Sequence, residues 1–456
     1  MSSGDANFPI SVSSLQFPSA AQSVSQTLSS LRRSTLSITN RLRSIEADSR
    51  FVQEVANHYR LPLIANERCG SWYIPPERKA GSAYFKSTDG HTGQWDFSFR
   101  RLNLQVLPIA REHGGCIIVD STRRGKLMPD ALSKTVPIWC AVMNRALFPS
   151  DTGLHAVQFP PNYLGESEEY QIEKRIDGFV TSLKELKLDL DELRRSLGKP
   201  IRIAWANQSY FYPTDLQKGD DYNLFVLCSA SKRVHGAEMS EGGYIQGAGD
   251  DSEGWSHGLT PPVFWANKST LFATEESDLP ELIEQLVEEH RKHGAGPQAT
   301  LIQPTRNLYI GQAGDASSRS EAYDLVIACH DKPVESEGDA KKLNLGCNTS
   351  KLGSRDLRKA LDRVKAFVET HLSADPSRTL LVTCETGKDL SVGTLLAIIC
   401  LFYDDNGNFV GLQTGTSMDK QFIRQRLAWI VTSKHDANPS RATLQSVNAF
   451  LMQRPD

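Results

Sequence analysis

The sequence predicts an α/β protein of two domains: an N-terminal mixed α+β domain and a C-terminal α/β domain with a central, mostly parallel sheet. Three observations predict this class. The chain has 456 residues, which is more than one hydrophobic core usually organises. Buried-strand patterns alternate with amphipathic helix patterns, as in sheets that are covered by helices. The composition, 39% apolar and 23% charged, is that of a globular protein.

The N-terminal third begins with a segment rich in Ser, Ala and Gln, residues 1–26, which predicts a flexible arm. Helical periodicity follows over 27–60. Aromatic and Gly/Pro-containing stretches alternate over 63–107 and predict short strands with turns. The run "GGCIIVD" at 114–120 predicts a buried strand, and the loop after it, "STRRGKLMPDALS", leads to a helix that begins near Pro137.

The middle of the chain predicts one long helix over 169–197, which Gly198 ends. The strands "IRIAWA" and "NLFVLCSAS" follow. The Gly-rich, acidic stretch 238–259 predicts a mobile surface loop, and strand–helix alternation resumes near Leu301. The predicted domains are therefore the arm 1–26, an N-terminal domain 27–300 and a C-terminal domain 301–456.

Charge and cysteine usage limit the class of partner and the compartment. The net charge is −3, so positive charge for an anionic partner has to be local. Two patches are basic: 31–50 has five Arg against two acids, and 99–145 has eight Lys/Arg against three acids. The eight cysteines form no CxxC pair, which favours a reducing compartment, and we expect a cytoplasmic protein. No membrane span, secretory signal or obligate protein partner is evident.

A short loop between a buried strand and a helix predicts an anion site in the C-terminal domain. In "LLVTCETGKDLSVGTLLAIIC" the loop "ETGKD" separates the strand from the helix, whose free N–H groups and dipole favour a phosphate. On pattern alone, phosphate binding and a purely structural turn both remain open. The predicted phosphate loop comprises Cys384, Glu385, Thr386, Gly387, Lys388, Asp389, Leu390 and Ser391.

The C-terminal part, about 301–456, resembles the dual-specificity phosphatases through "NLYIGQAGDA", "YDLVIACHD", "LLVTCETGKDLSVG" and "NPSRATLQSVNAFLMQ". In register, Cys384 matches the nucleophile of that family and Ser391 its loop serine. Thr383 stands where the family has a histidine, and Leu390 stands where it has the phosphate-gripping arginine. Lys388 supplies a point charge but not a guanidinium fork. The resemblance therefore implies phosphate binding without phosphatase chemistry.

The stretches "CGSWYIPP", "YFKSTDGHTGQWDFSFRRLNL", "GGCIIVDSTRRGKLMPDALSKTVPIWCAVMNR" and "CETGKDLS" occur together in this order. The combination resembles the initiator-tRNA 2'-O-ribosyl phosphate transferases of fungi and plants. The resemblance implies transfer of a 5-phosphoribosyl group from phosphoribosyl pyrophosphate to the ribose 2'-hydroxyl of adenosine 64 in initiator methionyl tRNA. It also implies that this mark excludes the initiator from elongation.

Such a transfer needs cations on the leaving pyrophosphate, a divalent metal such as Mg²⁺ and a group that orients or deprotonates the 2'-hydroxyl. Asp120, at a strand end, is the predicted metal or ribose ligand, and Asp89 or His91 is the predicted base. The predicted catalytic set is Lys86, Asp89, His91 and Asp120; the predicted donor site is Ser121, Thr122, Arg123, Arg124, Lys126, Asp130 and Lys134. The competing interpretation is structural: a Ser-Thr-Asp-Gly turn, a capping Asp120 and solvated arginines.

Contacts to the phosphates of a tRNA arm are predicted in the two basic patches, at Arg32, Arg33, Arg41, Arg43, Arg100 and Arg101. Two other functions compete with the transferase. One is a non-catalytic phosphate- or RNA-binding module built on an inactive phosphatase. The other is an active cysteine phosphatase, against which Leu390 argues.

Overall fold

The structure is a computed structural model, and it describes most of the chain. The described residues are 36–88, 93–123, 125–209, 219–234, 243–293, 299–314, 322–330, 340–348, 350–413 and 418–452. The predicted arm, and with it Arg32 and Arg33, lies outside them, as do Asp89, His91 and Arg124.

Two five-stranded sheets organise the chain, and the α/β class is as predicted. The first sheet is entirely parallel and has the order β2–β1–β3–β5–β4. Its strands are β1 (Leu63–Asn66), β2 (Lys79–Ala83), β3 (Gly115–Asp120), β4 (Ile201–Asn207) and β5 (Asn223–Ser229). All residues of β3 and β5 are buried, as is typical of a parallel sheet that is covered on both faces.

Helices cover both faces of the first sheet. They are α1 (Ile38–Tyr59), α2 (Val106–His113), α3 (Val136–Leu147), α4 (Glu166–Glu173), α5 (Ile176–Lys184), α6 (Leu190–Leu197), α7 (Pro261–Ala273) and α8 (Leu279–His293). One face, which includes Val119, packs against apolar residues of α1, α7 and α8. The other face, which includes Ile118, packs with α2 and α3 into a core that continues into the C-terminal sheet.

One local prediction for this domain was wrong. The single helix predicted over 169–197 is divided into α4, α5 and α6. Lys187, between α5 and α6, adopts a left-handed φ of 55°, and Asp189 caps α6 by accepting the N–H of Glu192. Among the described residues of 63–107, the predicted short strands are β1 and β2. The prolines at 75 and 76 favour a 3₁₀ turn, Pro76–Arg78, instead of a further strand.

The second sheet has the order β6–β7–β10–β8–β9 and is parallel except for the β6–β7 pair. Its strands are β6 (Thr300–Leu301), β7 (Leu308–Gln312), β8 (Leu325–His330), β9 (Lys342–Cys347) and β10 (Leu380–Cys384). Its helices are α9 (Ser350–Ala374), α10 (Leu390–Phe402), α11 (Lys420–Ser433) and α12 (Arg441–Leu451). Twelve of the thirteen residues of the central helix α10 are buried, as suits a helix that is hydrophobic on all sides.

All eight cysteines are buried and free, in agreement with the prediction of unpaired thiols. Within the described ranges, no helix has the length and apolar character that a membrane crossing requires.

Candidate functional site

The carboxyl ends of β1 and β3 form the topological switch point of the first sheet. The chain leaves β1 towards β2 on one side and leaves β3 towards the strands on the other, so the loops diverge and open a crevice. Ligands of open α/β sheets bind in such a crevice. Asn66, Asp120, Ser229 and Asn207 end their strands there, and all four are buried. A row of buried polar groups at the end of an otherwise apolar sheet is the first indication of a site.

The carboxylate of Asp120 is fully buried and accepts five hydrogen bonds. Arg68 donates two of them, Nε to Oδ2 at 3.2 Å and Nη2 to Oδ1 at 3.1 Å. The others come from Asn66 Nδ2 at 2.8 Å, Cys69 Sγ at 3.0 Å and the Ser121 N–H at 2.8 Å. Because a carboxylate has about four lone-pair sites, these donors saturate it. Asp120 therefore anchors Arg68 rather than presenting a free oxygen.

Arg68 connects Asp120 to the loop that was predicted to be mobile. Its Nη1 donates to Asp250 Oδ1 and its Nη2 to the Ser121 carbonyl. Arg68 is 17% exposed, so its guanidinium is held but still reachable from the crevice. Burial opposes its charge, yet the surrounding negative groups, Asp120 first among them, together outweigh burial and raise the pKa of Arg68. The result is a fixed guanidinium at the switch point, paired with Asp120 and Asp250.

Asp250 bridges this arginine to a second one. Its Oδ2 lies 3.4 Å from Arg123 Nε, and Arg123 Nη1 lies 2.8 Å from Asp251 Oδ2. Burial raises the pKa of Asp250 to about 6, and the neighbouring Arg68 charge opposes that rise. Asp250 therefore connects two guanidinium groups, those of Arg68 and Arg123, in one ion-pair network with Asp120 and Asp251.

The loop that supplies Asp250 packs closely on the loop after β3. Gly247 has a φ of +67°, and a Cβ there would lie 2.4 Å from the Thr122 carbonyl oxygen. Gln246 accepts the N–H of Gly125 at 3.0 Å and donates to the Lys126 carbonyl at 2.8 Å. The prediction of a surface loop was therefore wrong for the described part, 243–259, because Gly247 and Gly249 pack closely on other segments and residues such as Ile245 and Trp255 are buried.

The other predicted site residues of this domain lie beside the same edge. Asn66, which donates to Asp120, also exchanges two hydrogen bonds with the Phe85 backbone, next to Lys86. Thr88 Oγ1 donates to Asp130 Oδ2 at 3.1 Å, and Lys134 Nζ lies 3.5 Å from the same oxygen. The structure thus connects the segments around Lys86, Asp120 and Asp130. Lys86 and Lys126 are exposed, whereas Ser121 and Thr122 are buried.

The described residues do not form a protein-made cage for a metal ion. Both oxygens of Asp120 face Arg68, and both oxygens of Asp250 face arginines. Within the described part of the chain, no three His, Cys, Asp or Glu side chains come together as metal ligands would. The role of Asp120 as a metal ligand stays a prediction, and it would require the carboxylate to leave Arg68.

The predicted phosphate loop lies between β10 and α10. Cys384 is 4% exposed, and its Sγ lies 3.1 Å from Ser391 Oγ. Gly387 has a φ of +66°, and a Cβ there would lie 2.9 Å from the Gly311 carbonyl oxygen. Leu390, at the position of the phosphatase arginine, is buried at 8% exposure. The loop is thus built around a thiol and hydroxyl but has an apolar group where a guanidinium would grip phosphate.

A segment of the C-terminal domain, 436–440, holds the phosphate loop. Asp436 lies 3.3 Å from Lys388 Nζ, so the loop's cation is partly neutralised. The Asn438 N–H donates to the Lys388 carbonyl at 2.8 Å, and the Ser440 N–H donates to Asp389 Oδ1 at 2.8 Å. Glu385 and Thr386 remain exposed.

The same segment contacts the predicted RNA-binding arginines of the N-terminal domain. Arg101 donates to Asn438 Oδ1 and stacks on Tyr84, with its guanidinium carbon 3.5 Å from the ring centroid. Arg100 Nη1 donates to the Pro439 carbonyl at 3.3 Å. The phosphate loop is therefore connected to the first domain through this segment. Arg41 lies over the Trp255 ring, at 5.6 Å, and Arg43 is exposed.

Sequence reasoning missed Arg68 and Asp250. Arg68 directly precedes the quoted "CGSWYIPP" and is the only charged residue between Glu67 and Glu77. Its position two residues after a strand end was an available signal. No such sequence signal was available for Asp250, because 182 positions separate it from Arg68 and only the fold brings the two residues together.

Comparisons with known proteins match two parts of the chain. The family model described as the Rit1 N-terminal domain matches residues 31–288, and the Rit1 DUSP-like domain matches 341–451. A Schizosaccharomyces pombe relative of uncharacterised function is 36% identical, covering 91% of this chain and 94% of its own. A Saccharomyces cerevisiae relative, named tRNA A64-2'-O-ribosylphosphate transferase, is 32% identical, covering 94% of this chain and 95% of its own.

Two of the similar solved structures each cover about a third of this chain. The Yvh1 phosphatase domain from Chaetomium thermophilum is 17% identical with a TM-score of 0.27 and covers 34% of this chain and 95% of its own. Human DUSP28 is 15% identical with a TM-score of 0.27 and the same shares. Because the two family models match both parts of the chain and the relatives align along nearly all of it, this protein belongs to the Rit1 family.

Proposed function

We propose that this protein is a pentosyltransferase that modifies tRNA. It transfers a 5-phosphoribosyl group from phosphoribosyl pyrophosphate to the ribose 2'-hydroxyl of adenosine 64 in initiator methionyl tRNA, in the cytoplasm, and so excludes that tRNA from elongation. The observation that carries the proposal is the pair of guanidinium groups, Arg68 and Arg123, fixed by Asp120 and Asp250 at the switch point of the first sheet. The similarity to the S. cerevisiae transferase supports the reaction class.

The arginine pair suits the demanding part of this reaction. The bond between C1 of the donor ribose and the pyrophosphate oxygen breaks, and a bond forms between C1 and the 2'-oxygen of the acceptor. Negative charge then accumulates on the leaving pyrophosphate, and planar guanidinium forks bind phosphate oxygens in pairs. Because Asp120 holds Arg68 before the substrate arrives, little reorganisation is needed when that charge develops.

The proton of the 2'-hydroxyl has to leave, and Asp89 or His91 remains the proposed acceptor. The described neighbours of that segment, Lys86 and Thr88, lie beside Asp130 and near the Asp120 network. Mg²⁺ is proposed to enter with the pyrophosphate of the donor. It commonly binds through substrate phosphates with only one or two carboxylates, so a protein-made cage is not required.

The C-terminal domain is proposed to bind a phosphate without hydrolysing it. The buried Leu390 supplies no donor to the transferred group, and Asp436 offsets the charge of Lys388. A non-catalytic phosphate- or RNA-binding module remains the alternative function of the whole chain. An active cysteine phosphatase is the less favoured one.

The test is a transfer assay with labelled phosphoribosyl pyrophosphate, Mg²⁺ and total tRNA. We expect label in initiator tRNA with the wild-type protein, and a loss of about 100-fold or more in Arg68→Gln, since one preorganised donor to developing charge is worth about that factor. Arg355→Gln, an exposed arginine on α9, is the matched control and should transfer at the wild-type rate. Absence of transfer to any tRNA by the folded wild-type protein would refute the transferase and leave the binding module.

A further inference from the structure

A cavity of about 350 Å³ lies between the two domains. Residues 96–100 of the N-terminal domain form one side, and helices α10, α11 and α12 form the other. The volume falls within the roughly 300–1,000 Å³ of small-molecule sites. The cavity is separate from the Arg68–Asp250 network and from the phosphate loop, and neither of those sites uses its residues.

The cavity has an excess of positive charge. Arg100, Lys420 and Arg424 line it, and Asp96 is the only carboxylate among its described lining residues. Within the described part of the chain, none of these three cations forms an ion pair. Arg100 donates a hydrogen bond from Nη1 to the Pro439 carbonyl, which holds it in place. This contact uses only one of its N–H groups. Three cations at one cavity are suited to an anionic group such as phosphate.

The rest of the wall is apolar and partly aromatic. Phe97 and Phe99 are in edge contact with ring centroids 5.3 Å apart, and Ile423 and Leu427 face the same space from α11. The guanidinium of Arg424 lies 5.5 Å from the centre of the Phe99 ring. A flat ring bound here would contact apolar side chains and a guanidinium plane, which are the surfaces on which nucleobases stack.

One hydrogen-bonding group of the wall has no partner among the described residues. Asn448 lines the cavity from α12, and its Oδ1 is buried with no hydrogen-bond partner in the described part of the chain. A buried acceptor left unpaired costs free energy, so a ligand that donates a hydrogen bond to it would recover that free energy. The missing partner has to be a donor, as an amino group or ring N–H of a base is.

We propose that the interdomain cavity binds a nucleotide. Its phosphate contacts Arg100, Lys420 and Arg424, its base lies between the apolar walls, and a base N–H donates to Asn448. The source is either a free mononucleotide or an unstacked nucleotide of an RNA chain. Only the second source rests on the proposed function, in which case the cavity positions the tRNA across both domains.

The test is calorimetric titration of the full chain with adenosine 5'-monophosphate and with ribose 5-phosphate, which lacks the base. We expect the nucleotide to bind at least about tenfold more tightly than the sugar phosphate. Arg424→Gln should weaken both by about tenfold, whereas Asn448→Leu should weaken only the nucleotide. Arg424 is exposed, so its variant should fold, and Arg355→Gln is the control for loss of one exposed charge.

A single-stranded oligoribonucleotide distinguishes the two sources. If the oligonucleotide binds more tightly than the mononucleotide, and Arg424→Gln abolishes that binding, the cavity is assigned to RNA. If the mononucleotide binds more tightly, the cavity is assigned to a free nucleotide. The proposal is overturned by any of three results: equal affinity for the nucleotide and the sugar phosphate, no binding of either ligand, or wild-type affinity in both variants. A chain that transfers no label but loses nucleotide binding in Arg424→Gln would refute the proposed transferase and leave this site standing.

Discussion

Replacing Asp120 with asparagine tests whether this residue is mainly an anchor for Arg68. The carboxylate is fully buried and accepts five hydrogen bonds, two of them from the guanidinium. Asparagine keeps the shape but removes the charge and turns an NH₂ group towards donors. Breaking a buried pair costs about 3–5 kcal/mol. Since Arg68 retains Asp250 and is 17% exposed, we expect the lower end, about 3 kcal/mol.

The assay is equilibrium unfolding followed by tryptophan fluorescence, because six of the seven tryptophans precede residue 300 and report on the N-terminal domain. A loss of about 3 kcal/mol corresponds to a fall of roughly 6–12 °C in the melting temperature of a domain of this size. Asp151→Asn, an exposed acid, is the control and should change stability by less than about 0.5 kcal/mol.

A double-mutant cycle with Arg68→Gln separates anchoring from other roles. If the two side chains act as a pair, the double variant should be less destabilised than the two single effects added together, by about 1–3 kcal/mol. Asp120→Asn with wild-type stability, or a coupling below about 0.5 kcal/mol, would refute the anchoring role and favour a carboxylate that is free to bind metal or ribose.

Three further predictions concern the two sites. Folding raises the pKa of Asp250 from 3.8 to about 6, so the folded state binds a proton more readily than the unfolded state. The stability of wild type relative to Asp250→Asn should therefore increase as pH falls from 7 to 4; a stability difference that does not change with pH contradicts this. Cys384→Ser should leave transfer within about twofold, measured with labelled donor, because no thiolate attack is required; complete loss would implicate the thiol. Gly387→Ala should destabilise the chain by more than Gly411→Ala in thermal unfolding. Both glycines have positive φ, each worth about 1–2 kcal/mol, but only a Cβ at Gly387 meets a carbonyl, Gly311 O at 2.9 Å.

Periodicity predicted the elements that are fixed by local pattern. The buried strand ending at Asp120 and the helix near Pro137 form as expected, because apolar runs and a first-turn proline act within a few residues. The long helix over 169–197 was wrong because an unbroken apolar stripe does not reveal a left-handed turn at Lys187.

The candidate site was predictable only in part for the same reason. Asp120 could be placed at a strand end, and parallel strands bring their carboxyl ends to one edge. The partners that determine its chemistry lie on other segments: Arg68 follows β1, and Asp250 belongs to a loop whose glycines predict mobility. A sequence pattern identifies a titratable residue, but not whether its oxygens are already occupied.

Segment 436–440 connects the predicted phosphate loop of the DUSP-like domain to the N-terminal domain. This segment binds the backbone of the phosphate loop through Asn438 and Ser440, and it accepts hydrogen bonds from Arg100 and Arg101. Any ligand that shifts Lys388 therefore acts on the segment that contacts the N-terminal arginines. Apolar residues of both domains share one core, so this segment lies against a packed interface rather than a linker. Hydrolysis would need a guanidinium at position 390, whereas the proposed positioning of a bound phosphate relative to the first domain would need only the loop and this connection.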